Sequence, residues 1–149
     1  AKDGVLPITD NRMTRFMISL EDGVELVWHA FDNMKGGEIY VKKIPSMKVT
    51  DVALAVNKNA KQEEVGVRPG EKLHEQMIGI EDALYTYEYP AHFKILPSIN
   101  DWAKDKTRIG DGIRVPEDFM YTSDNNKEWM KISELQDWIE TNKNKIGNI

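Results

Sequence analysis

The clearest periodic signal along the chain begins at Ser19. Leu20, Val24, Val27, Trp28 and Phe31 recur at helical spacing and fall on one face. Ser19 suits an N-cap, Glu21 and Asp22 put negative charge in the first turn, where the helix dipole favours it, and Gly36-Gly37 ends the helix. Upstream, Val5 to Phe16 carries Pro7 and several polar residues and predicts an extended or loop entry. Downstream, Glu38 to Lys42 alternates polar and apolar and predicts a strand, which Pro45 and Ser46 should break. A second helix is expected after Thr50, with Val52, Leu54, Ala55 and Val56 as its apolar surface. Glu63 to Val67 predicts a short strand, Arg68-Pro69-Gly70 a turn, and Glu71 to Ile78 a helix with Leu73, Met77 and Ile78 apolar. Leu84 to Tyr89 and Phe93 to Leu96 suit strands, and Pro97 to Pro116 is expected to be a loop. The last helix should start at a Ser133–Gln136 capping box and bury Leu135, Trp138 and Ile139, with a frayed tail after Thr141.

Helices alternating with short strands make the fold class α/β. The pattern is not a complete doubly wound sheet, because a Rossmann half needs more continuously apolar strands than this chain has. The 149 residues are enough for one domain, residues 1–149. Composition narrows the classes further. Cysteine is absent, which removes disulfides, thiolate metal sites and a thiol nucleophile together and fits a cytoplasmic location. His29, His74 and His92 lie too far apart to form a zinc motif, so no metal is expected. A net charge of -5 argues against non-specific nucleic-acid binding, and no apolar run of the roughly 18 residues a membrane span requires is present.

Three segments carry candidate chemistry: 7–16, 36–48 and 66–75. In the third, a Pro-Gly turn presents Arg68 at the start of the expected helix. Unpaired backbone N–H groups favour an anion there, and a guanidinium offers a fork suited to phosphate oxygens. Arg15, ahead of the first helix, could supply a second guanidinium for a diphosphate. Against this stand plainer roles: a surface turn whose Arg68 pairs with a neighbouring carboxylate, and a capping or surface Arg15. Spacing alone does not decide between them. Trp28, Phe31 and Trp138 read as core at their helical spacing. Met13 and Met17 fill space, Asp10 caps or pairs with Arg12, and Lys42, Lys43 and Lys48 are expected to be solvated or at an intersubunit contact.

The strings Arg68-Pro69-Gly70-Glu71-Lys72-Leu73-His74-Glu75 and Lys43-Ile44-Pro45-Ser46-Met47, with the segment before the first helix, resemble the C-terminal region of the inverting UDP-N-acetylglucosamine 4,6-dehydratases. Those enzymes are extended short-chain dehydrogenases/reductases. Tyr121, Ser123, Asn126 and Trp129 are similar to the closing Y-x-S-x-x-N-x-x-W stretch of the same family. The likeness covers nearly the whole chain and implies a substrate-binding domain whose N-terminal NADP-binding half is absent. It implies that Arg15 and Arg68 lie on the diphosphate of a UDP-sugar, with Glu71 and His74 near the ribose or the phosphates. Their plainer roles are a helix-start carboxylate and a polar surface histidine.

By the same resemblance, the intact enzymes oxidise C4 of the sugar with NADP, abstract the C5 proton, eliminate the C6 hydroxyl and return the hydride to C6. The product feeds surface or flagellar sugar biosynthesis, and the intact enzymes assemble as homo-oligomers. This chain departs from the family in two respects. Its ten glycines never form G-x-x-G-x-x-G, and no Tyr is followed four residues on by Lys. The expectation is therefore a nucleotide-binding portion that binds no cofactor and catalyses nothing by itself. Two other readings stay open: a non-catalytic interaction or oligomerisation module, and part of a sister dehydratase/epimerase.

Overall fold

Short alternating runs give short strands, two to four residues each, and they dominate the computed structural model, which describes residues 4–99 and 102–146. In chain order the elements are β1 (Val5–Ile8), β2 (Thr14–Phe16), α1 (Leu20–Asn33), β3 (Ile39–Lys42), β4 (Ser46–Lys48) and α2 (Val49–Val56). Next come β5 (Lys61–Glu64), β6 (Gln76–Ile78), α3 (Ile80–Ala83), β7 (Thr86–Glu88) and β8 (His92–Ile95). A 3-10 turn at Trp102–Lys104, α4 (Lys106–Ile109), β9 (Ile113–Arg114), β10 (Tyr121–Thr122), α5 (Ile132–Thr141) and α6 (Lys143–Ile146) complete the order. The class is α/β, as the alternation predicts.

The chain forms two compact units. One comprises the segment up to Met17, Pro45–Glu75 and the segment from Asn126 onward. In it β1 runs parallel to β5, and β2 pairs antiparallel with β4, Arg15 opposite Met47. Its core gathers Met47, Ala55 and Leu135, with Met17, Val52, Met130, Ile132 and Ile139 packed against them. Ser46, fully buried, is stitched on three sides. Its N–H donates to the Glu128 carbonyl (2.9 Å), its carbonyl accepts from Met130 N–H (2.9 Å), and its hydroxyl accepts from Asn126 Nδ2 (3.0 Å). The family-like strings around Ser46 and Asn126 therefore meet in space as a structural clasp.

The other unit comprises Ile18–Ile44 and Gln76–Asn125. Its sheet has the order β3-β8-β7-β9, antiparallel throughout, and β6 pairs separately with β10. The Tyr121 hydroxyl accepts from Ile44 N–H (2.9 Å) and donates to the Ile44 carbonyl (3.0 Å), so one phenol satisfies both backbone groups of a buried residue. Ser19 caps α1 as expected, its side chain accepting from Asp22 N–H. Lys42 Nζ lies 2.6 Å from Asp22 and 3.7 Å from Glu25, tying β3 to α1.

An aromatic cluster sits on β3 and β8. The His92 ring stacks on Tyr89 at 4.7 Å and 8° and lies 4.8 Å from the His29 ring and 5.4 Å from Tyr40. Burial, then the charges of His29, Lys94 and Lys43, lower the His92 pKa from 6.5 to about 4. The unfolded chain therefore binds more protons than the folded chain between those two values, and stability falls as pH drops through that window. A series of urea melts should show the decline from pH 6.5 to 4. His92→Phe should flatten it, and an unchanged slope would mean that another group sets it.

Several elements differ from the sequence expectation. The entry takes the extended one of its two expected forms, and its extended runs are the strands β1 and β2. β3 ends at Lys42 with Pro45 in the break, as expected, but Ser46 starts a new strand, β4, which runs straight into α2, so that helix begins at Val49 rather than after Thr50. β5 starts two residues before the expected strand and ends three earlier. No helix spans 71–78; the segment is irregular and then becomes β6. Segment 97–116 contains a 3-10 turn, α4 and β9 rather than a loop. In α5 the Glu134 carboxylate accepts from Lys131 N–H (2.9 Å), so the capping pair sits two residues ahead of Ser133–Gln136, and α6 replaces the frayed tail over 143–146.

The core assignments divide. Met13 is buried and Met17 packs on the core, as expected. Trp28, Phe31 and Trp138 are exposed instead, at 65%, 65% and 41%. The helical periodicity is real, but α1 has no buried residue at all, and Leu20 stands 81% exposed. Lys42 and Lys43 are not simply solvated, since they pair with Asp22 and Glu88 respectively at 2.6 Å, while Lys48 is exposed.

Candidate functional site

β2 has two edges. One pairs with β4, and the other holds the irregular segment that follows the Pro-Gly turn. Thr14 N–H donates to the Leu73 carbonyl (3.2 Å), and the Thr14 hydroxyl hydrogen-bonds His74 Nδ1 (2.8 Å). Phe16 N–H donates to Glu75 Oε2 (2.7 Å). The N–H groups on this edge of β2 thus stitch down a segment with no ladder of its own.

Arg15 reaches across this seam. Its Nη1 donates to the carbonyls of Thr14 (2.7 Å) and Leu73 (3.2 Å), and its Nη2 donates to that of Lys72 (3.2 Å). Glu71 lies 3.9 Å from Nη2 and Glu75 lies 3.8 Å from Nε. The side chain remains 27% exposed. Arg15 is therefore more than a capping residue: it fixes the loop that carries the other candidates. Beside it, Asp10 accepts from Arg12 N–H, Nε and Nη2, and those hydrogen bonds hold its carboxyl at about 2. Asp10 thus pairs with Arg12, one of the two roles expected for it.

Arg68 lies on the turn, with Gly70 at φ +82°, the left-handed region that a glycine tolerates. Glu71 N–H donates to the Arg68 carbonyl (3.0 Å) and Arg68 N–H donates to Glu71 Oε2 (3.3 Å). The carboxylate of Glu71 thereby touches the turn backbone with one oxygen and faces Arg15 with the other. Arg68 itself is exposed, and its guanidinium makes no ion pair among the described residues. The expected helix start is missing, so no helix dipole assists an anion here. What remains is an exposed guanidinium on the turn, whose backbone is linked through the Glu71 carboxylate to a half-buried Arg15.

Of the four candidates, Arg15, Glu71 and His74 meet at one edge of β2, and Arg68 connects to them through the Glu71 carboxylate. Thr14 and Glu75 also belong to this arrangement, and sequence reading assigned neither of them a role. Glu75 stood within the family-like string, but a helix over 71–78 would have turned it away from β2. The sequence carries no local signal of the pairing between segments 14–16 and 72–75.

A dinucleotide cofactor needs a glycine-bearing turn leading into a helix. The longer helices here lack one. α1 follows Met17-Ile18-Ser19, α2 continues directly from β4, and α5 follows Lys131. Among the described residues, none of the longer helix starts fits the pyrophosphate of a nicotinamide dinucleotide.

Known proteins give the arrangement a context. The chain is 49% identical over 139 residues to a UDP-N-acetylglucosamine 4,6-dehydratase (inverting) of Campylobacter jejuni, a match covering 90% of this chain and 42% of that protein. A UDP-glucose 4-epimerase of Rickettsia typhi is 36% identical over 95 residues, covering 60% of this chain and 28% of that protein. The X-ray structure of Pen from Bacillus thuringiensis superposes with a TM-score of 0.73 at 28% identity, over 95% of this chain and 41% of that one. The chain thus spans less than half the length of the dehydratase and of Pen. Residues 1–97, which include Arg15, Arg68, Glu71 and His74, match the family described as polysaccharide biosynthesis protein, and the chain belongs to that family.

Proposed function

We propose that residues 1–149 act as the sugar-nucleotide-binding part of an inverting UDP-N-acetylglucosamine 4,6-dehydratase serving surface or flagellar sugar biosynthesis. The observation that carries this reading is the 49% identity over 90% of the chain. The meeting of Arg15, Glu71 and His74 at one strand edge, with Arg68 on the adjoining turn, supports it from the geometry.

In this reading Arg68 reaches the nucleotide diphosphate as a charged fork, and Arg15 adds positive charge while holding the loop in place. His74, which hydrogen-bonds Thr14 through Nδ1, lies near the ribose or the phosphates. Glu71 fixes the turn. Hydride transfer belongs to NADP, which the rest of a full-length dehydratase would bind. This chain contributes substrate binding, works in the cytoplasm, and joins a homo-oligomer when part of the intact enzyme.

The test is an amide NMR spectrum of the chain with and without UDP. Shifts centred on Arg15, Arg68 and residues 69–75 are expected, with no dehydration of UDP-N-acetylglucosamine by the chain alone. A dispersed spectrum that UDP leaves untouched would sink the reading for this chain. The uncovered apolar face of α1 would then favour an interaction module.

A further inference from the structure

Glu75 has no part in the nucleotide reading, yet it faces the key arginine. Its Oε2 accepts from Phe16 N–H at the end of β2 (2.7 Å), and its Oε1 lies 3.8 Å from Arg15 Nε. Three backbone carbonyls occupy the terminal nitrogens of Arg15, which leaves the Nε edge for Glu75. At 3.8 Å this is a charge–charge contact rather than a hydrogen bond.

We propose that Glu75 is a positioning residue for anion capture: anchored on Phe16 N–H, it adds a charge contact at Nε to the three carbonyl hydrogen bonds and so narrows the Arg15 guanidinium to the orientation that meets a diphosphate. The inference rests on the nucleotide-binding reading above. Its physical content is preorganisation. An arginine held in place before the ligand arrives loses less side-chain freedom on binding. The pair adds little to folding, because the two side chains are 27% and 44% exposed and such pairs are worth little in stability. The effect of Glu75 therefore belongs in binding.

Simple electrostatics predicts the opposite. A carboxylate beside an anion site repels the anion, so neutralising it should tighten binding. Glu75→Gln separates the two accounts. The amide oxygen still accepts from Phe16 N–H, while the charge facing Arg15 is gone.

The experiment compares the wild-type chain with Glu75→Gln in thermal melts, in the NMR signal of Arg15 Nε–H, and in calorimetric titrations with UDP, pyrophosphate and uridine. In the variant the melting temperature should stay within about 2 °C, since exposed pairs contribute little. The Arg15 Nε–H signal should move in the ligand-free chain. Affinity for UDP and for pyrophosphate should fall together by about three- to tenfold, the cost of ordering one long side chain on binding. Uridine binding should not change, which a general structural defect would not spare.

A variant that binds UDP equally well or more tightly overturns the inference. So does an Arg15 signal that the substitution leaves unmoved, whatever UDP does. A wild-type chain that binds neither UDP nor pyrophosphate removes the nucleotide reading and this inference with it.

Discussion

Arg108→Ala should cost the fold about 3–5 kcal/mol, the usual penalty for breaking a buried ion pair from one side. Arg108 Nη1 lies 2.6 Å from Glu38 Oε1, and the two side chains are 10% and 2% exposed. The same nitrogen donates to the Gly36 carbonyl (3.0 Å), and the guanidinium lies 4.0 Å above the Trp102 ring. Glu38 also accepts from Lys35 N–H at 3.1 and 3.2 Å. Burial alone would raise the Glu38 carboxyl, but backbone N–H groups and the Arg108 charge outweigh it and bring its pKa below the ordinary value. Truncating Arg108 leaves that carboxylate buried with backbone donors only, and strips the stacking from Trp102.

Urea unfolding read at constant m-value measures the loss. A loss below about 1 kcal/mol, the range of exposed pairs, would mean that water reaches Glu38 freely. Glu38→Gln combined with Arg108→Met removes both charges and should recover much of the loss, because the penalty lies in the unpaired charge.

Arg68→Ala should weaken UDP binding about ten- to hundredfold, from the loss of a charge-assisted hydrogen bond worth roughly 1.5–3 kcal/mol. The variant is clean for a structural reason. Arg68 is exposed, and its bonds to Glu71 run through its backbone, which alanine keeps. Stability should therefore stay within about 0.5 kcal/mol, as for most surface substitutions. Arg15→Ala would lack this clarity, because it also releases the carbonyls of Lys72 and Leu73. Calorimetry of UDP binding to Arg68→Ala decides the point, and unchanged affinity would remove Arg68 from the site.

Local signals were read well where local forces decide. Ser19, the acidic first turn and the apolar spacing of α1 mark that helix correctly, the alternation over 38–42 marks β3, and the strand-favouring residues of 84–89 and 93–96 mark β7 and β8. The failures share one cause. Leu73, Met77 and Ile78 do fall at helical spacing, but the backbone of this segment finds partners far away in sequence. Leu73 receives Thr14 N–H, and Ile78 pairs opposite Tyr121. A two-pair ladder to a distant strand outcompetes a weak helical preference and leaves no trace in the local pattern. Segment 97–116 carries one local helix signal: Asp105 caps α4 by accepting from Thr107 N–H.

The site follows the same rule. Its residue types were legible because Arg on a Pro-Gly turn has recognisable chemistry. Its convergence was not, because Arg15 and Glu71 are brought together by the seam between β2 and the 72–75 segment. With no helix over 71–78, no helix start offers its N–H groups to an anion there.

The uncovered face of α1 has a consequence for the chain in solution. Leu20, Val24, Val27, Trp28 and Phe31 form an apolar ridge, while Glu21, Asp22, Glu25 and Asp32 charge the rest of the same cylinder. That division gives the helix the anatomy of a surfactant, one acidic back and one oily front, fixed to a folded body. Such a front, open to water, is where a dye that brightens on apolar surface should bind the chain.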